Sequence, residues 1–97
     1  MSYELRYASH PEDAKSYDTT RLRREFLIET VFTADDINWV YSLYDRYMVG
    51  GAMPASKNLT LEVVDDLKAQ YFLQRRELGI INVGGKGRVV ADGVAFD

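Results

Sequence analysis

The chain has no cysteine, one histidine and two prolines. Without cysteine there are no disulfides and no thiolate metal ligands. A zinc or manganese centre takes about three or four ligands. With His10 as the lone imidazole, no histidine-rich centre forms within one copy. The chain also lacks the run of roughly 18 apolar residues that a membrane helix needs. Its first residues, Met1-Ser2-Tyr3-Glu4-Leu5-Arg6, lack the apolar segment of a secretory signal. Twelve basic residues stand against 15 acidic ones, a formal net charge of −3. No excess positive field exists to hold a phosphate backbone. These absences make a cytoplasmic protein with neither a nucleic-acid nor a membrane partner the expectation.

What is present is the material of a packed domain. Hydrophobic residues make up 46% of the 97 positions, and aromatics 12%. That composition exceeds what disordered chains carry and suits one domain over residues 1–97. Tyr3, Leu5 and Tyr7 alternate with Glu4 and Arg6, the period of a strand. Ser9-His10-Pro11-Glu12-Asp13 reads as a helix start, with proline in the first turn and acids near the positive end of the dipole. Asp18 caps a second short helix through Leu22 to Phe26.

From Leu27 on, the pattern predicts strands. These are 27–32, a long strand over 39–49 ended by Gly50-Gly51, then 59–63, 71–73, 77–83, 88–91 and 94–96. Asp65-Asp66-Leu67-Lys68 reads as a turn or a single helical turn. Gly84-Gly85-Lys86-Gly87 and Asp92-Gly93 separate the last strands, and Asp-Gly is a type I′ hairpin signal. The expected fold class is mainly β, an antiparallel β-sandwich with short N-terminal helices.

Several groupings invite a functional reading. Gly84-Gly85-Lys86-Gly87 lacks the spacing and following Ser or Thr of a phosphate loop, so a turn is expected. Glu12-Asp13, Asp35-Asp36 and Asp65-Asp66 are adjacent carboxylates at turns; acid–base catalysis needs carboxylates converging in a cleft. Arg21, Arg23 and Arg24 form a basic cluster offset by Glu25 and Glu29. Arg75-Arg76-Glu77 differs from these. On a strand, Arg75 and Glu77 share one face and Arg76 takes the other, so at least one charge faces an interior or interface and needs a partner. Arg75, Arg76 and Glu77 are therefore expected to form ion pairs that fix register or a subunit contact. A cleft for an acidic sugar is the competing reading. No catalytic or metal-ligating residue is assigned.

The order Glu77, Gly84 to Gly87, Asp92-Gly93 resembles the first motif of the cupins, small antiparallel jelly-roll barrels. Gln70 to Leu73 stand where cupins carry two metal-binding histidines. A closer resemblance is to the 5-keto-4-deoxyuronate isomerases, ketol-isomerases of pectin breakdown. It rests on Leu22-Arg23, Glu25-Phe26-Leu27, Val31-Phe32, Ala34-Asp35, Val40-Tyr41-Ser42, Asp45-Arg46, Val49-Gly50-Gly51, Met53-Pro54, Tyr71-Phe72-Leu73, Arg75 to Gly79, Ile81-Asn82 and Gly84-Gly85, in order. It spans roughly residues 17–93 and is weak over 55–70.

The resemblance implies an N-terminal, partial cupin barrel that stops before a catalytic C-terminal half. Zinc, held there by histidines and a glutamate, is implied in that half and none in this chain. The chain's own role would be structural and assembly-related, without activity alone. A barrel cut there leaves an edge strand and apolar surface, so self-association is expected. The alternative is a free-standing sugar-acid-binding or protein-interaction module.

Overall fold

The computed structural model describes residues 1–97. The elements are β1 (Ser2–Arg6), α1 (Pro11–Ala14), α2 (Thr19–Phe26), β2 (Ile37–Ser42), β3 (Tyr47–Ala52), a single 3-10 turn (Asp65–Leu67), β4 (Val89–Ala91) and β5 (Val94–Phe96). Strands β1, β2 and β3 form one sheet in that order; β4 and β5 form a second, two-stranded one. The β2–β3 and β4–β5 pairs are antiparallel, as expected. β1 instead runs parallel to β2. A parallel neighbour needs a long crossover, and the stretch between them, with both helices, supplies it. The chain is thus two small sheets with two short helices. No helix is long and apolar enough to cross a membrane.

Both helices start where their capping residues stand. His10 Nδ1 accepts from the Glu12 amide, and the Asp18 carboxylate accepts from the Arg21 amide at 2.8 Å. Each satisfies a donor left open in a helix's first turn.

The long strand expected over 39–49 is a hairpin instead. The Tyr47 amide bonds the Tyr44 carbonyl, and Asp45 and Arg46 both have positive φ, 55° and 53°. Two successive left-handed residues make the turn whose twist suits a hairpin. No glycine marks it, so the run of aromatics masks the reversal. Gly50 and Gly51 accordingly lie inside β3 rather than ending a strand. Gly50 pairs with Trp39 across the sheet. A Cβ at Gly50 would overlap the Asn38 carbonyl and come within 2.5 Å of Trp39 Cε3. The indole ring lies where a side chain would stand. Gly51 meets the other cover, where a Cβ would stand 2.5 Å from Val31 Cγ1.

The strands expected at 27–32, 59–63, 71–73 and 77–83 do not form. Residues 28–33 cross the face of the sheet that carries Ser2, Asn38 and Gly51, tied down by the Asn38 amide, which donates to the Val31 carbonyl and to Thr33 Oγ1. The opposite face, with Tyr3, Trp39 and Tyr41, receives residues 64–76. There the Phe72 ring stacks on Trp39 at 5.2 Å between centroids, and Tyr3 Oη donates to Asp66 at 2.8 Å. Side-chain bonds to backbone in these covers take the place of ladder pairing.

The core is small. Ile37, Val40, Tyr41, Val64 and Phe72 are its buried apolar residues. No residue after Phe72 is buried. Ile81 is 87% exposed and Val83 72%. The Asp92-Gly93 turn forms as expected, with φ of 49° and 80°, but the hairpin it closes has every residue exposed. The radius of gyration is 15.6 Å; a compact domain of this length has about 13 Å.

Candidate functional site

The charged block Arg75-Arg76-Glu77 lies at and just after a turn over residues 72–75, not on a strand. The alternation of faces expected for it is therefore replaced by turn geometry. Arg76 is half-buried against β2. Its guanidinium donates to Tyr41 Oη at 2.9 Å and to the Arg46 carbonyl at 3.0 Å. It also sits 4.9 Å from the Tyr41 ring centroid. One side chain thereby holds the left-handed β2–β3 turn against the segment covering the sheet. A planar fork with several donors suits two acceptors at once. Arg75 donates to the Lys68 carbonyl at 3.3 Å. None of the chain's ion pairs involves Arg75, Arg76 or Glu77. Within one copy, Arg75 and Arg76 bond backbone carbonyls and a phenol in place of the expected carboxylates, and Glu77 makes no side-chain bond.

In each pair of acids at least one carboxylate is engaged. Asp35 is left-handed, with φ 58°. Its Oδ2 accepts from Ser56 Oγ at 2.6 Å; its Oδ1 accepts from the amides of Ala55, Ser56 and Lys57. The Ser56 hydroxyl, followed by these amides, holds the carboxyl well below the usual carboxylate range. A carboxylate so saturated is a clamp on the 55–57 loop and a poor proton acceptor. Asp36 is lowered by the Ile37 amide and then by the amino terminus, whose nitrogen lies 3.2 Å away. Asp66 accepts from Tyr3, which raises the phenol above its usual range. Glu12 pairs with Lys15 in solvent.

Arg21 stacks 4.0 Å over Tyr17, and Arg21, Arg23 and Arg24 reach Glu25 or Glu29. The Gly84–Gly87 bend is closed by Asn82, which accepts from the Gly84 amide and donates to the Gly85 carbonyl; no helix follows it, unlike a phosphate loop.

Three histidine, aspartate or glutamate side chains do not meet anywhere in the chain. His10 has one ring nitrogen committed to a helix cap. The donor set here does not fit a zinc ion.

One cavity opens on the sheet and another beside the 3-10 turn. The first, of about 240 Å3, lies among Ser2, Glu4, Val31 and Asn38. A more polar one of about 590 Å3 lies beside the 3-10 turn, lined by Lys68, Gln70, Gln74 and Arg75 among others. Sequence reasoning missed the second because it placed Arg75 on a strand, whereas a turn brings it back beside Lys68.

No family profile matches the chain. Individual proteins do. It is 64% identical over 95 residues to the 4-deoxy-L-threo-5-hexosulose-uronate ketol-isomerase of Bacteroides fragilis, covering 98% of this chain and 34% of that protein. It is 60% identical over 96 residues to ketol-isomerase 1 of the same name from Bacteroides thetaiotaomicron, again 34% of that protein. The protein of Halalkalibacterium halodurans is 53% identical over 90 residues. This chain is a relative of those ketol-isomerases. The aligned stretch takes in nearly the whole chain, residues 55–70 included. The chain spans about a third of the length of the ketol-isomerases it matches, consistent with an N-terminal portion of them.

Proposed function

We propose that this chain is the N-terminal structural and assembly region of a cytoplasmic sugar-acid ketol-isomerase, in the pectin-breakdown setting that the family resemblance implies. The observation that carries the reading is the 64% identity over 98% of the chain and only 34% of the relative. The chemistry of the residues agrees with it. Moving a carbonyl between neighbouring carbons needs a base to carry a proton and a group to polarise the carbonyl. Here the one strongly perturbed carboxylate, Asp35, is saturated with donors. The zinc ion that the resemblance implies belongs, on this reading, to a cupin half outside these residues, and no step is assigned to it here.

The assembly role rests on surface. From Leu78 to Phe96, side chains such as Ile80, Ile81, Val83, Val90 and Phe96 are 58–87% exposed. A lone two-stranded hairpin is marginal in water. Covering this stretch with the remaining two thirds of the enzyme buries it and completes a cupin-like barrel. When the chain is alone, the same surface drives self-association, read by light scattering as a species larger than a monomer; a monodisperse monomer contradicts that part. The functional test is a chimera in which residues 1–97 replace the matching third of the Bacteroides fragilis enzyme. The chimera should isomerise 5-keto-4-deoxyuronate. A folded chimera without turnover overturns the assignment.

A further inference from the structure

β1 is an outer strand of its sheet, with β2 on one side and no strand on the other. The Arg6 carbonyl accepts from the Leu43 amide at 2.9 Å, so Arg6 turns its backbone groups towards β2. Along a strand these groups point alternately to one neighbour and to the other. Ser2, Glu4 and Arg6 therefore face β2. Tyr3 and Leu5, with Tyr7 next in the alternation, turn N–H and C=O to the open edge. None of the backbone bonds to turns and loops uses Tyr3, Leu5 or Tyr7. Such an edge is a template for another strand.

The residues of the edge select which strand fits. Tyr3-Glu4-Leu5-Arg6-Tyr7 is complementary to itself when two copies run antiparallel. Centred on Leu5, the pairing sets Leu5 against Leu5, Tyr3 against Tyr7 and Glu4 against Arg6. The outward-facing residues 3, 5 and 7 then meet one another, as the ladder requires. Glu4 and Arg6 fall at the positions between hydrogen-bonded pairs, where side chains approach most closely and opposite charges stabilise. A centre at Glu4 or Arg6 keeps the ladder but sets like charges opposite each other. A centre between two residues sets an outward group against an inward one. Within one copy Arg6 Nε lies 3.0 Å from Glu4 Oε1, so two copies bring alternating charges into one row. Tyr7 is 68% exposed and Tyr3 38%, which leaves both rings surface to bury. The other outer strand, β3, carries no charged residue to set a register.

We propose that β1 joins two copies of this chain about a twofold axis at Leu5, merging two three-stranded sheets into one. A contact of this kind closes on itself. Pairing over residues 3–7 makes a small interface, so the association is weak and concentration-dependent. Residues 78–96 take no part in it. Every readout below is confined to β1, so failure here leaves the assembly role of that stretch standing, and the reverse.

The test is amide exchange of the 97-residue chain, followed residue by residue at low and high concentration. The amides of Tyr3, Leu5 and Tyr7 should gain protection with concentration, while those of Glu4 and Arg6, already turned to β2, change little. Glu4→Lys and Arg6→Glu each set like charges opposite one another, and each alone should weaken association about tenfold. Mixed in equal amounts, the two variants restore opposite charges at both positions, and the protection should return. Because the chain has no cysteine, Leu5→Cys gives a second readout. Paired Cα atoms about 5.5 Å apart are within disulfide reach, so oxidation should yield a covalent dimer, whereas Tyr47→Cys, on β3, should not. Protection independent of concentration, the outcome if another part of a larger enzyme covers this edge instead, would overturn the proposal. So would equal gains at Glu4 and Arg6, a mixture no tighter than either variant alone, or cross-linking as fast through Tyr47→Cys.

Discussion

Phe72→Ala tests whether the 64–76 segment is the true lid of the small core. Phe72 is 6% exposed and lies against Trp39 at 5.2 Å. Truncating a buried phenylalanine costs about 3–5 kcal/mol, the sum of lost transfer free energy and the cavity left behind. Trp39 is itself half-buried and the lid is a turn rather than a regular element, so partial collapse is available and the lower end, about 3 kcal/mol, applies. A domain of this length has about 5–15 kcal/mol in total, so the change removes a large fraction of it. With a urea slope of about 1–3 kcal/mol/M, the midpoint should fall by roughly 1–3 M. Trp39 is the single tryptophan and stacks on the mutated ring, so its fluorescence reports the transition directly. Phe72→Leu should recover more than half of the loss. Ile81→Ala, at a position 87% exposed, should change stability by less than about 0.5 kcal/mol. A loss under about 1 kcal/mol for Phe72→Ala, at unchanged slope, would refute the packing described.

Three further outcomes follow from individual contacts. Gly50→Ala places a methyl group on the Asn38 carbonyl and the Trp39 ring, and should cost about 1–3 kcal/mol in urea unfolding, with a shift in Trp39 emission. Arg76→Lys cannot serve both the Arg46 carbonyl and Tyr41 Oη from one planar group; about 1 kcal/mol should be lost, with faster amide exchange at Arg46 and Tyr47. Because Asp35 titrates below its unfolded range, its stabilising effect is full above about pH 4. It is lost as pH falls through the lower folded value. Asp35→Asn should therefore flatten the acid limb of the stability profile, and a profile unchanged by the substitution would contradict the clamp on residues 55–57.

Local signals were legible where one residue decides the conformation. Pro11 with the acids after it and Asp18 marked both helix starts, and Asp92-Gly93 marked the last hairpin, because helix first turns and left-handed turns select residue types strongly. The reversal at Asp45-Arg46 was not legible. Its left-handed pair carries no glycine, and its support comes from Arg76, 30 positions away. The expected strands at 27–32, 59–63 and 77–83 had the right composition but lack a neighbour to pair with, and pairing, not alternation, makes a strand. Arg75, Arg76 and Glu77 were read as charges needing ion-pair partners; within one copy Arg75 and Arg76 bond carbonyls and a phenol instead. Which partners they take depended on a turn that brings Arg76 to Tyr41 and Arg75 to Lys68. The parallel placement of β1 depended on the crossover and had no local signature at all.

On the proposed function, residues 78–96 are a surface to be covered by the rest of a larger enzyme. Amide hydrogen exchange tests it directly, comparing the 97-residue chain with the same residues inside the Bacteroides fragilis chimera. Rapid exchange is expected over Ile80–Val83 and Val89–Phe96 in the chain kept dilute, and strong protection of both stretches in the chimera. Equal, rapid exchange in the two would contradict it.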